Sequence, residues 1–337
     1  MRDALIGQLL KHAQVAFGCK ATPTPGNYQE IACPYSTITR LELACDGLSK
    51  VVYLKRVKTD RISNDVAEKR VLVEYQTLVQ LYEHFRSHRT WGIARPVAVF
   101  PQAHALVTEE VPGIQLMDLI GRFAKRYLFG QRLNILEKYC ALAGAWLREF
   151  QSFTSQGTGQ FNIQGLIDYC GERLDSLIGD RDSGVDQAFK ADFLAYLHEQ
   201  HKALGGRNDS IVGRHNDFSP HNIIVDGNRL SVIDFGFFDH DSYLYDVCKF
   251  WFQLECMKVS PLFSTSAINR LQRSFLQGYG KSVDPRDPVF QMVASRYFVT
   301  RLVTMSKEGV RSGPWGWIDR KSYKWCLRWL TERCGRG

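Results

Sequence analysis

The sequence of 337 residues lacks several features that mark common classes of protein. It has no run of about eighteen uninterrupted apolar residues, which a membrane-spanning helix requires. Its nine cysteines include no C-x-x-C pair, so they predict neither a disulfide framework nor a zinc site, and all are expected to be reduced. Because a signal peptide, internal repeats and low-complexity segments are also missing, we expect a cytoplasmic globular protein.

Negative charge is scarce near the carboxyl end. The chain has a formal net charge of +8, and residues 296–337 hold ten Lys or Arg against three acidic residues. Cations and large aromatic side chains alternate there, at Arg311, Trp315, Trp317, Arg320, Lys321, Lys324, Trp325, Arg328 and Trp329. The spacing favours a helix that packs its aromatic residues on the body and exposes its charges to solvent. The alternative is contact with a membrane surface or another anionic ligand, whereas nucleic acid is not expected as a partner.

Two short motifs carry the chemical information of the chain. His215-Asn216-Asp217 precedes Asn222 by a few residues, and Asp234-Phe235-Gly236 follows after a short interval. Phosphoryl transfer requires carboxylate and amide oxygens for Mg²⁺ and a carboxylate that receives the proton of the acceptor hydroxyl. Protein kinases place an Asp five positions before an Asn and supply the main metal ligand from a later Asp-Phe-Gly. The order and spacing therefore predict a phosphoryl-transfer site.

A β-hairpin is predicted between these motifs. The turn residues Asp226-Gly227-Asn228 separate two apolar runs, Ile223–Val225 and Leu230–Ile233. Such a hairpin would form without any catalytic role. In the functional interpretation, it fixes both proposed metal ligands at strand ends.

The remainder of the chain predicts an α+β fold with two lobes. After an N-terminal helix and linker (1–27), a nucleotide-binding lobe is expected over 28–108, a hinge over 109–114, and a mainly helical catalytic and acceptor-binding lobe over 115–337. The small lobe contains one long helix from about Asn64, whose apolar residues recur at intervals of three and four. Five strands are predicted, at 28–32, 36–44, 50–57, 97–100 and 105–108.

With these motifs in place, the chain resembles the aminoglycoside phosphotransferase and choline kinase family, which has a protein-kinase-like fold. The resemblance covers roughly residues 28–260 and implies ATP and Mg²⁺ as cofactors. It implies that Asp217 is the catalytic base, that His215 braces the catalytic loop, and that Asn222 and Asp234 are the metal ligands.

The same resemblance assigns residues of the small lobe to the nucleotide. Lys55 is expected to contact the phosphates and to pair with a helix carboxylate, for which Glu74 is favoured over Glu68 because helical spacing alone does not decide. Glu109 and Val111 of the hinge are also expected at the nucleotide. The Lys55 assignment follows strand alternation, which separates it from its basic neighbours.

Two departures from the family pattern are evident. The first hairpin, Cys33–Thr37, has no glycine-rich run to lay backbone amides over phosphates, although Ser36 and Thr37 offer hydroxyls. The usual Gly-Asp-Pro after Asp-Phe-Gly is also missing. His240-Asp241-Ser242 stands in its place. Asp246 matches the family's aspartate that opens the next helix, and it is expected to cap that helix or to accept N–H groups of the catalytic loop.

The predicted function is transfer of the γ-phosphoryl group of ATP to a hydroxyl of a small molecule of the sugar, aminoglycoside or amino-alcohol type. A protein substrate is not expected, because the chain has no Ala-Pro-Glu and leaves no room for a peptide platform. The alternatives are a nucleotide-binding regulator without turnover, and a kinase for a lipid-linked saccharide at the membrane surface.

Overall fold

The computed structural model describes residues 2–60, 62–125, 132–180, 183–203, 205, 208–280, 282–307 and 313–335. The chain forms two compact units, of which the first comprises Met1–Leu116 and His221–Phe238 and the second comprises Met117–Pro220 and Asp239–Gly337. As the sequence predicts, the fold is α+β, with a sheet of five antiparallel strands in the N-terminal region and helices mostly in the C-terminal part.

The helices and strands follow in chain order. The first are α1 (Arg2–Phe17), β1 (Thr24–Ala32), β2 (Ser36–Cys45), β3 (Leu48–Val57), α2 (Asn64–Phe85), β4 (Trp91–Ile93), β5 (Pro96–Phe100), β6 (Ala105–Glu109) and β7 (Ile114–Gln115). Next come α3 (Leu116–Phe123), α4 (Leu133–Phe153), β8 (Gly157–Gln160), α5 (Ile163–Asp175), α6 (Gln187–Ala203) and β9 (Asn208–Arg214). The last are β10 (Ile223–Asp226), β11 (Arg229–Val232), β12 (Asp239–Ser242), α7 (Leu244–Met257), α8 (Thr265–Tyr279), α9 (Pro288–Lys307) and α10 (Gly313–Arg333).

The main sheet of the first unit has the strand order β1-β2-β3-β6-β5. Strands β2 and β3 are joined by the two-residue turn Asp46-Gly47, in which both residues have positive φ, as the tight hairpin turn requires. The predicted strands are present, but β1 begins at Thr24, within the segment expected to be linker. Its pairing with β2 shifts register between Pro25 and Tyr28, so the irregular start still pairs along β2.

Helices cover both faces of this sheet. On one face, α1 buries Leu9 and Ala13 against a cluster that includes Val52 of β3. On the other, Val71 of α2 packs against Val57, and Ser63 caps the start of α2 by accepting from the Val66 N–H. Since side chains alternate along a strand, the face of β3 that carries Val57 also carries Lys55. The sheet therefore directs Lys55 toward α2.

The end of α1 is tied to the sheet by a disulfide between Cys19 and Cys45. The expectation that all nine cysteines are reduced is wrong for this pair, because Cys45, at the end of β2, lies next to Cys19, two residues after the end of α1. The spacing of the cysteines in the sequence does not reveal this contact. Cys140 and Cys248 are free, as expected, and buried.

A second sheet of the first unit has the order β4-β11-β10-β7 and contains the predicted hairpin. Strand β7 pairs with β10, matching Ile114 with Val225. Just before it, Gly113 has a φ of 131°, and a Cβ atom there would lie 2.5 Å from the Val225 carbonyl oxygen. Only glycine fits this close approach without strain, and it lets the chain after β6 dock on the hairpin.

The second unit combines helices with a three-stranded sheet of order β12-β9-β8. Helices α4 and α8 pack closely because Gly144 and Gly278 present no side chain to each other's backbones. The small sheet was not predicted. Within the described part of the chain, none of the helices is long and apolar enough to cross a bilayer.

The C-terminal helix has the amphipathic character that its spacing predicts. Trp329 stacks on Phe298 with ring centroids 3.8 Å apart, and Trp325 lies 5.0 Å from the same ring. Trp317 is half exposed. Arg311 and the side chain of Trp315 lie outside the described residues. The packing interpretation therefore holds for Trp325 and Trp329.

Candidate active site

Three charged side chains of the first unit meet at Lys55. Its Nζ donates to both carboxylate oxygens of Glu74, at 3.0 and 3.1 Å, and to Oδ1 of Asp234 at 2.5 Å. Glu74 is buried on α2, whereas the Asp234 side chain is 41% exposed. The sequence left Glu68 and Glu74 as alternatives, and the structure places Glu74 at the lysine. The buried Glu74 carboxylate thus anchors Lys55, while the Asp234 carboxylate is partly exposed to solvent.

The charge of Lys55 is maintained despite its burial. Burial lowers the pKa of an ammonium group, but the two carboxylates outweigh this effect and raise the pKa of Lys55 above its ordinary value. The lysine therefore stays protonated near neutral pH. A fixed positive charge of this kind is suited to bind anionic oxygens such as those of a phosphate chain.

Arg70, which the sequence did not single out, links α2 to the Asp-Phe-Gly segment. Its Nε donates to the Gly236 carbonyl at 2.9 Å, and its guanidinium lies 3.9 Å from the Phe237 ring centroid. A Cβ atom on Gly236 would lie 3.0 Å from Glu74 Oε2 and 3.2 Å from Lys55 Nζ. Glycine at this position lets the segment lie against the charged pair. The sequence feature that could have identified Arg70 is its i, i+4 spacing from Glu74 on one helix.

The predicted metal ligands are joined through the hairpin of the first unit. The Ile233 N–H donates to the Asn222 carbonyl at 3.0 Å, immediately before Asp234. Asp234 has a φ of 68°, which a non-glycine residue adopts only when its surroundings enforce it. The Asn222 amide and the Asp234 carboxylate are hard oxygen donors, the type that Mg²⁺ prefers. The donor set therefore fits the ion that the family pattern implies.

The expected hinge residues lie at the end of β6. The Glu109 carboxylate accepts from Lys50 Nζ at 3.0 Å and lies 3.9 Å from Arg95, while its backbone N–H donates to the Arg95 carbonyl. In the described part of the chain, the N–H of Val111 makes no hydrogen bond to another backbone group. Glu109 thus has its side chain engaged, and Val111 keeps a backbone donor for a ligand.

The sequence offers the hydroxyls of Ser36 and Thr37, in the first hairpin, as possible contacts for phosphates, and the structure places neither side chain for this use. Strand register places Thr37 opposite Arg56 and Ser36 opposite Val57. Thr37 therefore lies on the face that α1 covers, away from Lys55, and Ser36 is buried. The Lys58 ammonium donates to the Cys33 carbonyl at 2.6 Å, and this hydrogen bond fixes the position of the loop.

The predicted catalytic loop belongs to the second unit and is held by Asp246. Its carboxylate accepts the N–H of His215 at 2.6 Å and the N–H of Asn216 at 2.9 Å. One of the two roles expected for Asp246 is therefore observed. His215 is fully buried, and its Nδ1 accepts the N–H of Asp217 at 3.3 Å. The imidazole therefore makes a hydrogen bond within its own loop.

Asp217 has a basic partner that the sequence did not reveal. Nζ of Lys249, on α7, lies 3.0 Å from Asp217 Oδ1, and the lysine side chain is only 17% exposed. Next to Asp217, the Phe218 ring is buried and stacks on Trp146 with centroids 5.6 Å apart. The loop is therefore anchored by an aromatic core on one side, while its 40% exposed carboxylate is oriented by a cation.

Asp239 and Asp241, on β12, both bind Arg214. Its Nε and Nη2 donate to the two oxygens of Asp239 at 2.5 and 2.8 Å, and Nη1 lies 3.4 Å from Asp241. Asn216 Nδ2 also donates to Asp239, at 2.7 Å. These contacts join β9, β12 and the catalytic loop, so they support the loop structurally.

Comparison with known proteins gives a family match and a set of structural neighbours. A family model described as "Phosphotransferase enzyme family" matches residues 57–285, which is more than half of the chain. No curated protein sequence matches it. The structural neighbours described next are 11–14% identical to this chain, so they show the fold alone.

The choline kinase from Cryptosporidium parvum Iowa II has a TM-score of 0.57 and 11% identity, with 98% of this chain and 96% of that chain covered. The ADP-bound aminoglycoside phosphotransferase APH(2'')-Ib has a TM-score of 0.51 and 14% identity, covering 98% and 97% of the two chains. The amicoumacin kinase hAmiN, in complex with AMP-PNP, Ca²⁺ and Ami, has a TM-score of 0.57 and 13% identity, covering 92% and 88%. The fold is thus the protein-kinase-like fold that the family resemblance implied.

Proposed function

The chain belongs to the phosphotransferase enzyme family, and we propose that it transfers the γ-phosphoryl group of ATP to a hydroxyl group of a small molecule. The observation that carries this proposal is the meeting of Lys55 with Glu74 and Asp234 in the first unit. A lysine held by a buried helix carboxylate, beside an aspartate with an exposed carboxylate, is the arrangement that kinases use at the phosphates and their metal.

In the proposed reaction, Lys55 binds oxygens of the α- and β-phosphates. Asn222 and Asp234 would hold Mg²⁺, which would supply positive charge to neutralise the phosphates. The adenine ring is expected at residues 109–114, which we propose as the hinge. There the backbone carbonyl of Glu109 and the N–H of Val111 are the groups that recognise it, since the Glu109 side chain is engaged by Lys50.

Asp217 is proposed as the general base of the transfer. Its carboxylate takes the proton of the acceptor hydroxyl as the acceptor oxygen forms its bond to the γ-phosphorus. The bond from that phosphorus to the β–γ bridging oxygen breaks, and ADP leaves with the electron pair. His215 and Asp246 hold the backbone on which Asp217 lies, and this rigidity positions the base.

Lys249 is proposed as a positioning residue for this base. Its ammonium lies 3.0 Å from one carboxylate oxygen of Asp217 and so fixes the orientation of the carboxylate. The ion pair also restricts rotation of the aspartate side chain. Precise placement of a general base contributes to its effect on the rate.

The acceptor is proposed to be a sugar, an aminoglycoside or an amino alcohol. Of these three classes, the excess of basic residues in the C-terminal region favours the neutral sugar over the cationic aminoglycoside and amino alcohol, because like charges repel. The same excess supports a second candidate, a kinase for a lipid-linked saccharide that works at an anionic membrane surface.

The test is transfer from γ-labelled ATP with Mg²⁺ to a panel of sugars, amino alcohols, aminoglycosides and lipid-linked saccharides, with Asp217→Asn as the matched control. We expect transfer to one acceptor class, a loss of about a hundredfold or more in the variant, and unchanged ATP binding in both proteins. ATP binding without transfer to any acceptor would favour the non-catalytic regulator. Failure to bind ATP would contradict both functions.

A further inference from the structure

A basic groove lies on the second unit, between the end of α7 and one face of α10. Its volume is about 460 Å³, within the range of small-molecule sites. The groove is lined by Lys258, Val259, Trp317, Arg320, Lys321, Lys324, Trp325 and Arg328. Five of these eight side chains are cationic, and no acidic residue is among them. None of the lining residues belongs to the proposed catalytic machinery.

Most of this positive charge is not neutralised by the protein. Lys258 is paired with Glu255 at 2.5 Å, and Lys321 lies 5.2 Å above the ring of Trp317. In contrast, the side chains of Arg320, Lys324 and Arg328 are exposed and make no ion pair or hydrogen bond with any residue that the structure describes. These three cations are therefore available to a ligand.

The three cations lie close enough along α10 to repel one another. Arg320, Lys324 and Arg328 follow one another at intervals of four, so they are neighbours on the same face of α10. Like charges at this spacing destabilise a helix. An anionic ligand that binds across this row would offset the repulsion between the three cations.

Arg333, at the end of the same helix, is a cation whose contacts are structural. Arg333 donates from Nε to Gln291 Oε1 at 2.8 Å and from Nη1 to the Trp329 carbonyl at 2.8 Å, and its guanidinium lies over the Trp329 ring. The contrast with the unpaired row is clear. Because Trp329 packs on Phe298 from the opposite side of α10, the row is presented by a rigid element.

From this geometry we propose that the basic groove binds a ligand that carries two or more phosphate groups. A single carboxylate would neutralise only one of the cations, whereas clustered phosphates provide several negative charges and several acceptor oxygens for lysine and arginine donors. A soluble diphosphate and the headgroups of an anionic phospholipid surface share this chemistry. The lining residues take no part in the proposed transfer reaction, so ligand binding at the groove can be tested separately from the proposed function.

The test is titration calorimetry with pyrophosphate and with inorganic phosphate, without Mg²⁺, together with sedimentation of phosphatidylcholine vesicles with or without phosphatidylglycerol. The variant combines Arg320→Gln, Lys324→Gln and Arg328→Gln, which keep good helix formers on α10. The matched control makes the same charge change at three exposed lysines outside the groove, with Lys20→Gln, Lys138→Gln and Lys202→Gln. Circular dichroism checks that each protein is folded.

We expect pyrophosphate to bind more tightly than phosphate, and the groove variant to bind it at least about tenfold more weakly while the control is unchanged. If only the vesicles containing phosphatidylglycerol bind, and the groove variant alone loses them, the phosphates belong to a lipid surface. Equal binding by the groove variant and the control, or no binding of either probe by the wild-type protein, would overturn the proposal.

Discussion

The Nζ atom of Lys55 lies 2.5 Å from Oδ1 of Asp234, across 179 positions of sequence. The same ammonium also binds Glu74, so one cation connects strand β3, helix α2 and the Asp-Phe-Gly segment. Because the pKa of Lys55 is raised by these carboxylates, the connection persists over the neutral range. The order of the first unit around its proposed phosphate site therefore depends on this lysine.

Replacement of Lys55 should separate the structural and the catalytic roles of the pair. Lys55→Met leaves the Glu74 carboxylate buried without its cation, and we expect a loss of about 3 kcal/mol in the free energy of unfolding. Adding Glu74→Gln removes the buried charge and should restore most of that stability. Phosphoryl transfer should remain low in both proteins, because neither retains the cation at the phosphates. Urea denaturation and the transfer assay measure the two effects.

Glu68→Gln is the matched control for this series, since Glu68 lies on the same helix and was the competing candidate. It should leave both stability and transfer close to the wild-type values. Recovery of transfer in the double variant would show that Lys55 has no role at the phosphates.

The fold and much of the site follow from the sequence where the signal is local. The hairpin turns at Asp46-Gly47 and Asp226–Asn228, and the apolar spacing of α2, are properties of neighbouring residues. For the same reason, strand alternation was sufficient to distinguish Lys55 from the basic residues around it.

Contacts between distant segments were not predictable in this way. The disulfide joins Cys19 to Cys45, and Lys249 reaches Asp217 from the following helix. Strand β12 contains Asp239 and Asp241 and reads as a polar loop, yet it pairs with β9 because Arg214 binds both carboxylates. In each case the deciding interaction is made by a partner remote in sequence, which no local pattern reports.

Lys249 should affect the rate of transfer more than the binding of ATP. Lys249→Met keeps the length of the side chain but removes the ion pair with Asp217, and we expect kcat to fall by up to about a hundredfold. The KM for ATP should change little, since Lys249 contacts the base. Lys249→Arg restores a cation and should recover part of kcat. If kcat is unchanged in the methionine variant, the ion pair does not position the base.

Asp246 should make stability depend on pH in a definite direction. Burial raises the pKa of its carboxyl, although contacts with His215 and Arg214 and the backbone N–H bonds of His215 and Asn216 oppose the shift. A carboxyl whose pKa is raised in the folded state contributes stability that is complete below the ordinary value of about 3.9 and is lost as pH rises through the raised pKa.

The measurement compares wild-type protein with Asp246→Asn by urea denaturation between about pH 4.5 and pH 7. The variant cannot titrate, and its amide cannot accept both N–H groups, so it should be less stable at both values by about 1–3 kcal/mol. The difference should be larger at the lower pH. A difference that instead grows toward pH 7 would mean that burial does not control this carboxyl.

The disulfide between Cys19 and Cys45 should contribute to the stability of the first unit. It closes a loop of 26 positions that contains β1 and β2, and chain-entropy arguments give about 3–4 kcal/mol for a loop of this length. Cys19→Ser should lower the urea midpoint by an amount that a reducing agent reproduces in the wild-type protein. Cys33→Ser, at a free cysteine of the same unit, should leave the response to the reducing agent unchanged. Thiol titration of the denatured, unreduced protein should count seven thiols, and nine would contradict the pairing.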